Sequence, residues 1–122
     1  MKKSLLQGLI LTAALLLPVA AFAHAFPQHS QPPVGSTVKQ SPPAIKIWFN
    51  SDLEPLFNKL VVKNAAGKVV TQQPAKVDPN NRMLLEVALP PLPPGQYHVY
   101  WRVTAKDGHR TEGDYTFTIS RH

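Results

Sequence analysis

The stretch that decides the fold is PPGQYHVYWRVT, residues 93–104. Its Pro-Pro-Gly start is typical of a turn. The residues from Gln96 to Thr104 then alternate between apolar and polar side chains. Because successive side chains of a strand point to opposite faces, this alternation predicts a β-strand with one buried face. The apolar positions of that face are Tyr97, Val99, Trp101 and Val103.

Similar short runs lie on both sides of this strand, at residues 45–49, 60–62, 69–70, 83–89 and 115–119. They are separated by turn residues, and 13 prolines in 122 residues leave little room for long helices. About seven short strands at this spacing predict an all-β fold, a β-sandwich, with an edge strand and turns in residues 26–44. The predicted core consists of the inward-facing strand residues: Ile45, Ile47, Phe49, Leu60, Val62, Leu85, Val87, Tyr97, Val99, Trp101, Val103, Tyr115, Phe117 and Ile119.

Residues 1–23 have the pattern of a secretory signal peptide. Two lysines precede an apolar stretch at residues 5–17, and Ala-Phe-Ala at residues 21–23 is an A-x-A cleavage site. The alternative is a transmembrane anchor, since residues 4–23 are just long enough to span a bilayer. The small residues before the cleavage site favour removal. Residues 24–122 would then form one domain that works outside the cytoplasm, in a bacterial periplasm.

Composition excludes several function classes. The chain has no Cys, which rules out disulfides, a thiolate nucleophile, thiolate-bound zinc and iron–sulfur clusters. The formal charge of +6 is not concentrated in any basic helix or finger pattern, so no nucleic-acid partner is expected. The chain also has no Gly-rich phosphate loop, and no spacing supports a Ser/His/Asp triad.

His24 becomes the N-terminal residue if cleavage follows Ala23. Its α-amine and its ring Nδ1 can then close a six-membered chelate ring on one metal ion. An α-amine titrates near neutral pH, so a metal ion can displace its proton there. The plain alternative is that His24 only marks the point where the peptidase cuts.

Asp107-Gly108-His109 follows the strand of residues 96–104. In an extended chain Asp107 and His109 point to the same side, and Gly108 permits a tight bend. A carboxylate and an imidazole at this spacing make half of a divalent-metal site; the alternative is an ordinary Asp-Gly turn. With His24 the set comprises two imidazoles, an amine and a carboxylate, which suits Cu(II) and which Zn(II) would also accept.

The other three histidines are not predicted to be primary metal ligands. His29 is expected to be a solvated loop residue. His98 alternates with the core residues of its strand and should face outward. His122 lies at an end of the chain that is expected to fray.

The chain resembles the periplasmic copper-resistance proteins of the CopC type over residues 24–121. The resemblance rests on motifs that follow one another in the family's order and spacing: His24-Ala25, Ser30-x-Pro32, Gly35, PPAIKIWFN at 42–50, PGQYHVYWRV at 94–103, DGH at 107–109, Gly113 and Phe117. It implies an Ig-like antiparallel β-sandwich with Greek-key topology. It also implies one Cu(II) per chain, bound by the amine and ring of His24 and the ring of His109, with Asp107 close by.

The resemblance further implies a protein that is not an enzyme and that serves copper resistance or homeostasis in the periplasm. Copper would be sequestered or delivered to an inner-membrane CopD-like copper transporter. A single site and no exposed apolar repeat favour a monomer. Some family members bind Cu(I) in a Met-rich loop, but residues 55–80 contain no Met, so this chain resembles the Cu(II)-only kind. Ser51 stands where some members have a Glu near the copper, which leaves any auxiliary ligand open.

Two other function classes stay open. Lytic polysaccharide monooxygenases also combine an N-terminal His with a second His on a β-sandwich, so a small copper monooxygenase with a histidine brace is the enzyme alternative. It predicts oxidised glycan or sustained peroxide turnover with copper, reductant and oxygen. A plain interaction module with incidental metal affinity predicts weak binding that is indifferent to the N-terminus.

Overall fold

The computed structural model describes residues 24–121. Eight strands make up the regular structure, and no helix occurs in this range. They are β1 (Pro27–Gln31), β2 (Thr37–Val38), β3 (Ala44–Phe49), β4 (Lys59–Lys63), β5 (Lys76–Asp78), β6 (Asn81–Ala88), β7 (Gly95–Thr104) and β8 (Arg110–Ile119). Within the described part of the chain, no helix is long and apolar enough to cross a membrane. The predicted signal peptide, residues 1–23, and His122 lie outside the described residues.

The strands form two four-stranded sheets, with the orders β1-β3-β6-β5 and β2-β8-β7-β4. The pairings are antiparallel except that of β2 with β8, which is parallel. This architecture confirms the predicted all-β, Ig-like sandwich. It has more strands than the seven expected, because β2 and β5 contain only two and three residues and give no periodic signal.

Residues 95–104 form the inner strand β7, which lies between β4 and β8. It pairs with β8 along its whole length, from Gly95 opposite Ile119 to Thr104 opposite Arg110. Its predicted apolar face is buried, and the Tyr97 hydroxyl donates a 2.6 Å hydrogen bond to the Pro93 carbonyl, which closes the Pro-Pro-Gly turn. The far end of β7 therefore carries the Asp107-Gly108-His109 segment directly into β8.

All of the predicted core residues are buried. The core also includes residues that the prediction left out: Ala25, Leu53, Leu89, Leu92 and Ala105. Ala25 is the one that matters for function, because its side chain is only 1% exposed. The residue that follows His24 is thus anchored in the core.

The prediction of a strand at residues 69–70 was wrong. Residues 69–70 form no strand: Val69 makes an isolated bridge with Lys63, and the Val70 amide donates to the Val62 carbonyl. The residues that follow carry no alternating apolar side chains, so the ladder stops there. The prediction of an edge strand and turns in residues 26–44 is confirmed, since β1 lies at the edge of its sheet.

Candidate metal centre

Residues 24–26, called the N-terminal segment below, are held to the sandwich by hydrogen bonds to β8 and to the residue that follows β3. The Thr111 hydroxyl donates a 2.7 Å hydrogen bond to the Ala25 carbonyl. The Phe26 amide donates to the Asn50 side chain at 2.9 Å, and the Asn50 amide donates back to the Phe26 carbonyl at 3.0 Å. Together with the buried Ala25, these contacts set where His24 can lie.

Of the two conformations considered for the Asp107-Gly108-His109 segment, an extended chain and a tight turn, the structure has the tight turn. The Gly108 amide donates to the Ala105 carbonyl, and the Ala105 amide donates to the His109 carbonyl, both at 2.8 Å. Gly108 has φ 91°, a conformation that side-chain-bearing residues rarely adopt. The turn nevertheless brings Asp107 and His109 to the same side, as predicted.

The Asp107 carboxylate holds His109 at two points. One oxygen accepts a 3.0 Å hydrogen bond from the His109 amide, and the other lies 3.0 Å from His109 Nδ1. These contacts, the backbone hydrogen bond first, lower the pKa of Asp107 below its ordinary value. A carboxylate on one ring nitrogen orients the imidazole and leaves the other nitrogen, Nε2, for a metal ion.

The His24 ring lies against the His109 ring. Their centroids are 5.0 Å apart and the ring planes are inclined by 81°. Since metal–imidazole bonds are about 2.0 Å long, two imidazoles on one ion have centroids roughly 4–6 Å apart. The spacing therefore fits two ligands of a single ion. Phe26, half exposed, lies edge-on to His24 with a centroid distance of 6.1 Å.

The structure thus brings together all three predicted residues, His24, Asp107 and His109. Over residues 24–121, no group of three or more His, Asp or Glu side chains has the arrangement of a complete metal-ligand cluster. His24 and His109 face each other, and Asp107 lies behind the His109 ring. The α-amine that cleavage would create at His24 is a further candidate donor.

The other histidines lie in different surroundings. His29 is on β1 rather than in a loop, and its exposed ring stacks on Trp48 at a centroid distance of 4.2 Å. His98 faces outward as predicted, with Nε2 3.0 Å from an Asp114 oxygen and Nδ1 3.2 Å from the Tyr100 hydroxyl. A cavity of about 440 Å³ on that outer face is lined by neither His24 nor His109.

Asn50 and Thr111 were missed as site residues by the sequence reasoning. Asn50 bonds across 24 positions of sequence and Thr111 across 86. No local pattern distinguishes a threonine that holds a distant carbonyl from any other strand threonine. The role of Asn50 and Thr111 in holding the N-terminal segment is visible only in the packed structure.

Paired imidazoles at one end of a β-sandwich make a candidate metal site, and comparison with known proteins identifies the family of the domain. The chain matches the CopC domain family over residues 27–120 and belongs to that family. It is 34% identical to Copper resistance protein C of Escherichia coli, with 95% of this chain and 98% of that protein aligned.

Two further similarities bear on fold and on length. The crystal structure of CopC from Methylosinus trichosporium OB3b matches with a TM-score of 0.75 and 32% identity, covering 80% of this chain and 94% of that one. The Copper transport protein CutJ of Bacillus subtilis is 30% identical over 99% of this chain. That match takes up only 23% of CutJ, so the Bacillus protein contains much more than this domain.

Proposed function

We propose that this protein is a periplasmic copper-binding protein that holds one Cu(II) per chain for copper resistance or homeostasis. The observation that carries the proposal is the pairing of the His24 and His109 rings at 5.0 Å in a chain of the CopC family. Copper is the cargo of the protein, bound and released without chemical turnover.

In the proposed site the donors are nitrogens from both ends of the domain sequence. His24 supplies its α-amine and ring after cleavage, and His109 supplies Nε2. Asp107 keeps the His109 ring in place through the 3.0 Å contact with Nδ1. Nitrogen donors in a tetragonal arrangement suit Cu(II), which also has the highest affinity among the divalent first-row metals. Zn(II) is the competing ion for the same donors.

The proposal includes where the protein works and where its copper goes. The signal-peptide pattern of residues 1–23 supports export to the periplasm. A Bacillus relative carries a matching domain within a longer copper transport protein. This supports delivery of copper from the present protein to an inner-membrane CopD-like copper transporter. We propose a monomeric carrier because the chain offers a single candidate site.

We also propose that the protein is not an enzyme. The His109 side chain is 63% exposed, and five cavities on the described residues are lined by residues other than His24, Asp107 and His109. With copper, a reductant and oxygen we therefore expect no oxidised glycan and no sustained peroxide turnover. Turnover of either kind would favour the monooxygenase alternative.

A Cu(II) titration of the protein processed at His24 tests the proposal. We expect one Cu(II) per chain, with nitrogen couplings in the EPR spectrum. Asp107→Asn should weaken binding by about tenfold, because outer-shell partners of metal-bound histidines typically contribute that much. Asp114→Asn is the matched control, since Asp114 makes a similar 3.0 Å contact with a histidine outside the site. Binding without defined stoichiometry, or an equal loss in both variants, would contradict the proposal.

The anchoring of the N-terminal segment gives a second prediction. Thr111→Val removes the hydroxyl that holds the Ala25 carbonyl but keeps a β-branched side chain of the same shape. We expect Cu(II) affinity to fall by about tenfold, since His24 is then less well positioned. Competition with a chelator of known affinity measures the change. Thr111→Ser, which keeps the donor, should bind as the wild type does; a loss of similar size in Thr111→Ser would show that the hydrogen bond is not the cause.

A further inference from the structure

The segment 54–58, called the Phe57 loop below, presents two large apolar side chains to solvent. Leu56 is 67% exposed and Phe57 is 75% exposed. Phe57 also has φ 66°, a left-handed conformation that is disfavoured for a residue with a bulky side chain. Local strain of this kind persists only where the surrounding structure imposes it, and it is concentrated at functional positions.

The surrounding structure does hold this loop. The Glu54 amide donates to the Thr104 carbonyl at 2.9 Å, and the Thr104 amide donates to the Asn58 side chain at 2.9 Å. The Thr104 hydroxyl donates to the Phe57 carbonyl at 3.1 Å. The exposure of Leu56 and Phe57 is therefore built into a pinned backbone and does not come from a loose segment.

Basic residues line two cavities next to the loop. A cavity of about 320 Å³ beside Phe57 is lined by Asn58 and by three cationic side chains: Lys59, Arg102 and Arg110. A second cavity of about 340 Å³, beside Pro55, is lined by Leu53, by two cations, Arg82 and Lys106, and by one carboxylate, Glu54. The exposed Leu56 and Phe57 side chains thus belong to a loop that adjoins two clefts of net positive charge.

The Phe57 loop lies at the same end of the sandwich as the candidate metal centre. Leu53 forms a bridge with Ala105, and the Lys106 amide donates a 3.0 Å hydrogen bond to the Asp52 carbonyl. Asp107 and His109 come next in the chain, and Arg110, which lines the first cleft, directly follows His109. Whatever binds the loop is consequently brought close to the metal centre.

We propose that the Phe57 loop docks the protein onto an anionic lipid bilayer. Leu56 and Phe57 enter the boundary between headgroups and acyl chains, and the basic clefts receive lipid phosphates. Apolar side chains next to cationic ones complement an anionic bilayer surface, because its negatively charged headgroups lie above an apolar layer of acyl chains. Two side chains and a few cations provide only weak, reversible attachment, which suits a mobile carrier.

The role of this docking rests on the proposed function. Docking would hold the end of the domain that carries copper against the membrane that contains the transporter. The lipid binding itself does not depend on copper. The two proposals can therefore fail separately, and copper-free protein is the right material for the test.

Sedimentation with vesicles tests the proposal, using the copper-free protein after processing at His24. We expect binding to phosphatidylethanolamine vesicles that contain phosphatidylglycerol, weakened by added salt, and no binding to phosphatidylcholine vesicles. Leu56→Ser combined with Phe57→Asn should reduce binding by about tenfold or more. Asn tolerates the left-handed conformation of position 57, so this variant should keep its fold.

Val34→Ser is the matched control. Val34 is 71% exposed, but it lies in the turn between β1 and β2, which bonds to the later part of β8 through Gly35 and Ser36. It should sediment as the wild type does, and the loop variant should keep its full Cu(II) affinity. The proposal is overturned if the wild type ignores phosphatidylglycerol vesicles or if both variants lose binding equally. Slower copper transfer by the loop variant to a detergent-solubilised transporter, without any vesicle binding by the wild type, would assign the loop to a protein partner instead.

Discussion

One pyroglutamate residue added before His24 is expected to lower the Cu(II) affinity of the processed protein by about a hundredfold or more, roughly 2.7 kcal/mol of binding free energy. The lactam has no basic nitrogen, so the chelate formed by the α-amine and ring Nδ1 of His24 is lost. An ordinary added residue would supply a new amine and amide next to His24, and that would replace one chelate with another. EPR spectra and titration against a competing chelator measure the effect.

Enzymatic removal of the pyroglutamate provides the control, because it regenerates the chain that begins at His24 in the same sample. Affinity and EPR spectrum should then return to those of the unblocked protein. The melting temperature of the copper-free protein should hardly change, since Ala25 rather than His24 is the residue packed in the core. Equal affinity of the blocked and unblocked proteins would mean that the amine is not a ligand, and the N-terminal copper site would have to be abandoned.

Gly113→Ala is expected to destabilise the fold by about 2–3 kcal/mol, a large cost for one methyl group. Gly113 lies opposite Trp101 in the pairing of β7 with β8. A Cβ at this position would lie 2.5 Å from Cζ2 and 2.8 Å from Cε2 of the Trp101 ring. That ring is 8% exposed and meets Phe49 edge-on at 5.3 Å, so it has little freedom to move away. The midpoint of thermal unfolding should fall by roughly 10–20 °C.

A double-mutant cycle identifies the cause of this loss. In a Trp101→Phe background the smaller ring leaves space, so adding Gly113→Ala should cost clearly less than it does in the wild type. Urea unfolding of the four proteins gives the coupling energy. The same cost in both backgrounds would show that Gly113 is required for a reason other than the Trp101 ring.

Much of the fold follows from short-range patterns. The period-two alternation of Tyr97, Val99, Trp101 and Val103 predicted a strand and its buried face, and both are present. The same reasoning failed at residues 69–70, because two β-branched residues do not reveal whether a ladder continues. It also missed β5, whose three residues are placed by pairing with β6 rather than by their own preferences.

For the candidate site, too, the sequence provides one part of the information and the tertiary structure the other. His24, Asp107 and His109 each stand out locally, one after a cleavage pattern and two around a turn glycine, so the sequence alone could nominate them. The resemblance to the CopC type, carried by ordered motifs, could also be read from the sequence, and it is confirmed by the family match over residues 27–120.

Only the tertiary structure decided how these residues meet. The 5.0 Å separation of the two imidazole rings depends on the packing of Ala25 in the core and on its hydrogen bond to Thr111, 86 positions away. The turn at Gly108, rather than an extended strand, directs the Asp107 carboxylate to Nδ1 of His109. Local patterns reflect the preferences of neighbouring residues, whereas contacts between the two ends of a domain exist only after the sheets have packed. The sequence therefore determined most of the strands and the candidate ligands, and only the packed sandwich determined that those residues lie side by side.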